Sequence, residues 1–312
     1  MDSRGFTSAL SLVLLSCGET RVPAYWVADR AAGEVLALDA ELCVLERIPV
    51  PAPRLLATDP GGSWVASALH GAVSPPERLS RIERGSGASS SSGFTALVAL
   101  SPEGGGSVLA LERSSSRTST SRPCDTLLWR IGTQGTRTLL GAFPAARALA
   151  SQPGALLVGC GGGELVLLRA DGAVLALGQV AGEVQAVARG PRAGEWWLLD
   201  GGVERSLRLL DRELAPLWSA RVASETRRFA AVEGAERVWV AAEGRAVLLG
   251  PGGAVEVELE LPAGPWQVGL ATASGVLLFG PGAVLELEVR HGLARVRRTQ
   301  GGFRDLAALS AR

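Results

Sequence analysis

The residue types that most often do chemistry are few in this sequence and poorly spaced for it. Four cysteines stand at Cys17, Cys43, Cys124 and Cys160, and two histidines at His70 and His291. No Cys-x-x-Cys or His-x-x-x-His spacing occurs, so a structural zinc site is not supported. The stretch 159–165, Gly-Cys-Gly-Gly-Gly-Glu-Leu, has the glycine content of a phosphate-cradling loop. Such a loop opens a helix whose first N–H groups receive the anion. Here it leads into an apolar strand pattern and reads as a hairpin. Glu256, Glu258 and Glu260 alternate with Val257 and Leu259, which turns all three acids toward solvent. No catalytic residue, metal site or cofactor is implied by these groups.

The elements that must position any site come from a pattern that returns along nearly the whole chain. In 238–262, Val-Trp-Val-Ala-Ala is followed by Glu-Gly-Arg, Ala-Val-Leu-Leu by Gly-Pro-Gly-Gly, and the last run alternates Val and Leu with Glu. Period-two alternation bounded by Gly and Pro predicts strands joined by tight hairpins. Adding the small-residue run 227–237, one unit is four strands, roughly forty residues, a length within the range of stacked repeats. Three-strand sets open at 24, 63, 107, 155, 195, 238 and 275, each followed by an inner run, the last at 303–310. Asp171-Gly172 and Gly252-Gly253 supply the positive φ that short hairpin turns need. Trp26, Trp64, Trp196 or Trp197, and Trp239 open second strands at equivalent positions, where large rings fill the wedge between neighbouring sheets. Trp266 precedes an inner strand and is placed to line a rim pocket.

This layout resembles a β-propeller, most closely the YVTN, NHL and PQQ-type repeats. Their innermost strand reads x-x-Leu-Ala-x-x-Pro-Asp-Gly, a style shared by Leu55, Leu56, Ala57, Asp59, Pro60 and Gly61. The resemblance covers about 24–310 and its motifs are degenerate, so it speaks to fold and not to function. It implies an all-β, seven-bladed β-propeller of four-stranded antiparallel blades. The C-terminal strand 303–310 would complete the blade begun by 24–50, closing the ring and abolishing free sheet edges. Seven-bladed propellers usually bind ligands on the face carrying second-to-third and fourth-to-first loops. Carried onto this chain, that face includes Asp29, Arg30, His70, Arg113, Asp200 and Glu243. The repeat alignment sets His70 and His291 on different faces, against a histidine dyad. It places Cys124 and Cys160 on second-to-third hairpins of adjacent blades. In an oxidising compartment a disulfide there would be worth about 3 kcal/mol, with buried free thiols as the alternative. Cys43, in a third-to-fourth hairpin on the other side, is expected to stay unpaired.

Two segments interrupt the pattern. The run 85–93, Gly-Ser-Gly-Ala-Ser-Ser-Ser-Ser-Gly, falls where blade two needs a fourth strand and has little apolar surface to bury. A three-stranded blade or a poor outer edge is expected there. The run 114–122 lengthens a hairpin of blade three and reads as a solvated loop.

The N-terminus gives an address. Residues 6–15 are a short apolar run, the length of a signal-peptide core and too short to span a bilayer as a helix. It ends in Leu14-Leu15-Ser16-Cys17-Gly18, which resembles the bacterial lipobox. That resemblance implies a lipoprotein signal peptide at 1–16, a diacylated Cys17 as the mature N-terminus, a short linker at 17–23 and a propeller domain at 24–312. Two acyl chains suffice for stable anchoring. Hydrophobic residues make up 47% and charged residues 20% of 312 residues, and the net charge is zero. The chain is therefore globular, with no overall field to draw nucleic acid or anionic lipid. All 31 basic residues are Arg, and Asn is absent. Propeller lactonases hold a divalent cation with Glu, Asp and Asn, a set that cannot be carried onto a chain without Asn. The expectation is a monomeric, non-catalytic binding or scaffold module of the cell envelope, in contact with the membrane through its lipid only. Its partner would be an envelope protein or other macromolecule, with a lactonase- or lyase-like enzyme as the alternative.

Overall fold

A computed structural model describes residues 22–59, 62–68, 77–83, 87–114, 125–202, 204–242, 244–272, 274–280, 282–290 and 293–311. Short strands rich in Val, Leu and Ala, punctuated by Gly and Asp, pair in sequence order into seven four-stranded antiparallel sheets. The architecture is a seven-bladed β-propeller. Blade 1 is built from both chain ends: from the axis outward it runs Leu306–Ala311, Tyr25–Asp29, Glu34–Leu38, Val44–Pro49. The inner strands of blades 2 to 7 are Pro53–Asp59, Leu97–Gly104, Ala146–Gln152, Val184–Arg189, Phe229–Ala231 and Gln267–Thr272.

Burial follows distance from the edge. Second strands have both faces against neighbouring blades and are almost wholly apolar, as in Trp196–Asp200, where every residue is buried. Fourth strands keep one face in water, so Val255–Glu260 alternates and its three glutamates are exposed. All seven blades carry a bulge in the ladder between third and fourth strands, such as Ala37/Leu38 and Leu167/Leu168. A bulge increases local twist, and this repeated twist gives each blade its propeller pitch. Gly163 shows why the glycine-rich stretch is a hairpin: its φ is +84°, and a Cβ there would lie 2.3 Å from the Val180 carbonyl oxygen.

The core is not one body but seven wedges, one between each pair of adjacent blades. The tryptophans divide among them. Trp26 fills the wedge of blades 1 and 2, Trp64 that of 2 and 3, Trp196 that of 4 and 5, Trp197 that of 5 and 6, and Trp239 that of 6 and 7. Trp266 does not line the channel. It packs against the wedge of blades 6 and 7, its ring over Gly280 and its Nε1 donating to the Pro262 carbonyl at 2.8 Å.

Two features depart from the sequence reading. The serine-rich run is a true fourth strand, Gly87–Phe94, paired residue by residue with Glu77–Glu83. A ladder needs backbone donors and acceptors, and the third strand supplies them whatever the side chains are. The inner strand of blade 6 is the shortest in the ring, three residues within the expected 227–237, so Arg227 and Arg228 precede the ladder.

The closing wedge joins Val27, Leu36, Leu38 and Leu42 of blade 1 to Leu277, Phe279 and Val284 of blade 7, with Phe303, Leu306 and Leu309 from the C-terminal segment. At about 1.5 kcal/mol or more for each large side chain withdrawn from this wedge, deletion of 301–312 should cost roughly 4 kcal/mol or more. Thermal or urea denaturation measures this. A truncated chain melting within about 2 °C of full length would contradict closure.

Candidate functional site at the channel mouth

The seven inner strands surround an axial cavity of about 410 Å³ whose walls include Leu56, Leu100, Leu149, Val187, Val268 and Leu309. A second cavity of about 420 Å³ continues beside the short inner strand of blade 6, between Ala188–Pro191, Phe229–Gly234 and Gly269–Ala271. The loops entering the inner strands and the second-to-third hairpins rim one mouth of this channel.

The acids nominated on that face turn out to hold it together. Asp29 is buried, 1% exposed, and its carboxylate accepts three backbone N–H groups: Ala32 at 3.1 Å, Arg304 at 2.7 Å and Asp305 at 3.0 Å. Burial pushes its pKa up, but these donors together with the Arg304 charge outweigh that, so the carboxyl lies below its usual range. Arg30 pairs with Asp305, Nη2 to Oδ2 at 2.6 Å, and the Arg30 N–H donates to the Asp305 carbonyl at 2.8 Å. Both nominated residues thus tie blade 1 to the loop that delivers the closing strand. Asp200 is buried beside Arg208 at 2.9 Å and accepts from the Ser206 N–H at 3.1 Å, within its own hairpin. Arg113 is exposed at the end of a second strand. The structure brings Asp29 and Arg30 together and leaves Arg113 and Asp200 on separate blades. His70, Glu243, Cys17, Cys124 and His291 lie outside the described residues, as do 1–21 and 115–124.

The same device recurs without having been foreseen. Glu77 accepts the Leu97 N–H at 2.5 Å, and Glu112 accepts the Thr95 N–H at 2.7 Å and the Trp129 indole N–H at 2.9 Å. Both carboxylates fix the loop leading into the inner strand of blade 3. Cys160, at the head of its hairpin, is a buried free thiol whose pKa is pushed up to about 11, chiefly by burial and further by Glu164. It is therefore protonated and unreactive at neutral pH. Cys43 is a free, exposed thiol. Among the described residues no group of three or more His, Cys, Asp or Glu is arranged to hold a metal ion, and no helix is long and apolar enough to cross a membrane.

The ionic groups left to the channel itself are arginines. Arg147, Arg227 and Arg228 line the cavity with Gln185. Arg147 is paired with Glu183 at 2.7 Å, and the Gln185 amide donates to the same carboxylate at 3.3 Å. Arg227 and Arg228 have no carboxylate partner and donate to no acceptor among the described residues. The Arg228 guanidinium stands over the Phe279 ring, 5.2 Å from its centroid. It is exposed to the channel but ringed by protein, and that desolvation lowers its pKa. The Arg205 guanidinium nearby is also shifted down, first by burial and then by repulsion from Arg227, with Glu225 opposing. The available sequence signal was the dipeptide Arg227-Arg228 immediately before an inner strand.

The ring and its axial cavity define the fold class, the seven-bladed β-propeller. Among the solved structures similar to it are Hsv2p of Kluyveromyces lactis, at 8% identity over 89% of this chain and 95% of that one, with a TM-score of 0.66, and the KlHsv2 form with loop 6CD replaced by a Gly-Ser linker, at 7% identity over 90% and 99%, with a TM-score of 0.65. At such identities the likeness is one of fold. No protein-family model and no curated protein sequence matches the chain.

Asp29→Asn places an amide N–H where one of the carboxylate oxygens accepts a backbone N–H. The expected cost is about 1–3 kcal/mol at neutral pH. Because the folded pKa is depressed, Asp29 stabilises the fold above the unfolded value of about 3.9. That contribution is lost as pH falls through the lower folded value, so the gap between wild type and variant should narrow in acid. Urea titrations between neutral and acidic pH measure it; a gap independent of pH would contradict the latch.

Proposed function

We propose that the chain is a non-catalytic binding module, a lipid-anchored propeller of a bacterial cell envelope that holds a protein or other macromolecular partner on its channel-mouth face. One observation carries the reading. Asp29, Glu77, Glu112 and Asp200 on that face are committed to backbone donors or to arginines of the fold, whereas Arg227 and Arg228, in the cavity wall, have no charged partner among the described residues. General acid–base chemistry needs a titratable group free to reach the substrate; recognition needs only unsatisfied donors held by a rigid frame. The anchor rests on 6–20, where an apolar run meets Leu14-Leu15-Ser16-Cys17, and two acyl chains on Cys17 would keep the domain at a membrane surface. Zero net charge argues against nucleic acid, and a monomer satisfies the fold because the chain's own last strand completes blade 1 and only short outer edges remain.

The test has two arms. Intact mass of detergent-extracted protein should show a diacylated Cys17, and globomycin should block processing. From solubilised envelope, wild type should retain a partner that folded Arg227→Glu/Arg228→Glu protein loses. Equal retention by both proteins would overturn the assignment of the face. Melting temperature should stay within about 1 °C on adding calcium or EDTA; a shift of several degrees, as ligand linkage produces, would favour the enzyme reading.

A further inference from the structure

We infer that the channel mouth at blades 5 to 7 is a binding site for a compact anion bearing two or more carboxylate or phosphate groups, gripped by Arg227 and Arg228. This rests on the reading of the mouth as the binding face and adds the chemistry of what binds there. The two arginines are consecutive, both line the 410 Å³ cavity, and between them they hold ten N–H donors with no acceptor among the described residues. The Arg228 guanidinium stands over the Phe279 ring, a cation–π contact that places its charge at the cavity wall. Gln185 adds an amide on the adjoining blade.

The local charge balance points the same way. Arg205 is repelled by Arg227, with Glu225 opposing, and donates to the Thr226 carbonyl, which leaves Arg227 as the cation of this pair facing the cavity, beside Arg228, in a molecule whose overall charge is zero. Like charges brought this close are costly unless an anion joins them. A concave site with low-dielectric walls concentrates that field. Of the three arginines lining the cavity, Arg147 is paired with Glu183, so among the described residues the unpaired charge of the cavity wall lies on blade 6. A planar fork matches a carboxylate or phosphate bidentately. The cavity lies within the range of about 300–1,000 Å³ typical of small-ligand sites. The anion can come free in solution or as adjacent acidic side chains on a polypeptide partner, and the chemistry at the two forks is the same.

Calorimetry at low ionic strength tests this on the full folded chain, with citrate, inorganic pyrophosphate and the peptide acetyl-Glu-Glu-Glu-Glu-amide as probes. At least one probe is expected to bind with a submillimolar Kd. Arg227→Gln/Arg228→Gln should weaken it tenfold or more, while Arg47→Gln, at an outer-edge pair with Glu34, leaves it unchanged. Citrate or pyrophosphate binding without the peptide assigns a free anion; peptide binding alone assigns a polypeptide source. An effect reproduced by sodium chloride at matched ionic strength, or binding equal in wild type and double variant, overturns the inference. If the envelope partner is lost in the charge-reversed protein but no probe binds, the anion chemistry falls and the binding face stands. If a probe binds through the arginines while partner retention is untouched, the anion site stands and the partner assignment falls.

Discussion

Everything in this molecule depends on the last strand reaching the first blade. Seven wedges of apolar side chains hold the ring, and six of them join blades whose connecting chain is short. The seventh joins the two ends of the polypeptide, through Val27, Leu36 and Leu38 on one side and Phe279, Phe303 and Leu309 on the other. Hydrophobic contact supplies the strength there but no register, since apolar surfaces slide. Register comes from Asp29, whose carboxylate binds the N–H groups of Arg304 and Asp305 across a sequence separation of 275 and 276 residues. A charged acceptor with three backbone donors is directional and, once buried, expensive to leave half-made.

That constraint explains the character of the channel-mouth face. Loops between blades run over the rim, and their first N–H groups need acceptors that no neighbouring strand offers. Asp29 meets that need at the loop entering the closing strand, and Glu77 and Glu112 together meet it at the loop entering blade 3. Acids placed there are therefore structural, and the positions most exposed to a ligand are left to other residues. On blade 6 the inner strand is three residues long, and the two arginines before it stay clear of the ladder. Rigidity of the frame and availability of the arginines are consequences of the same geometry.

The fold was legible because it is written as a repeated period-two pattern. The tryptophans near the start of second strands, the glycine turns, and the C-terminal run Leu306–Ala311 that pairs with Tyr25–Asp29 could all be read from the chain. The Ser-rich strand Gly87–Phe94 could not, because its order comes from the backbone of its neighbour and leaves no mark in its own side chains. The site was legible only in part. Asp29 and Arg30 could be assigned to a loop at the end of blade 1, but residue type alone does not distinguish an acid offered to solvent from one turned inward onto a loop. Arg227 and Arg228 were hidden among the chain's many arginines; what sets them apart is a place in the cavity wall with no acceptor among the described residues, a property that exists only once the strands are in place.

Native-state hydrogen exchange reads the closing strand directly. If the ring is locked as described, the amides of Leu306–Ala311 exchange only through global unfolding. They should then share the free energy and denaturant dependence of the deeply buried strand Trp196–Asp200. Exchange of those amides at a much lower free energy and without denaturant dependence, as a frayed end would show, would contradict the account.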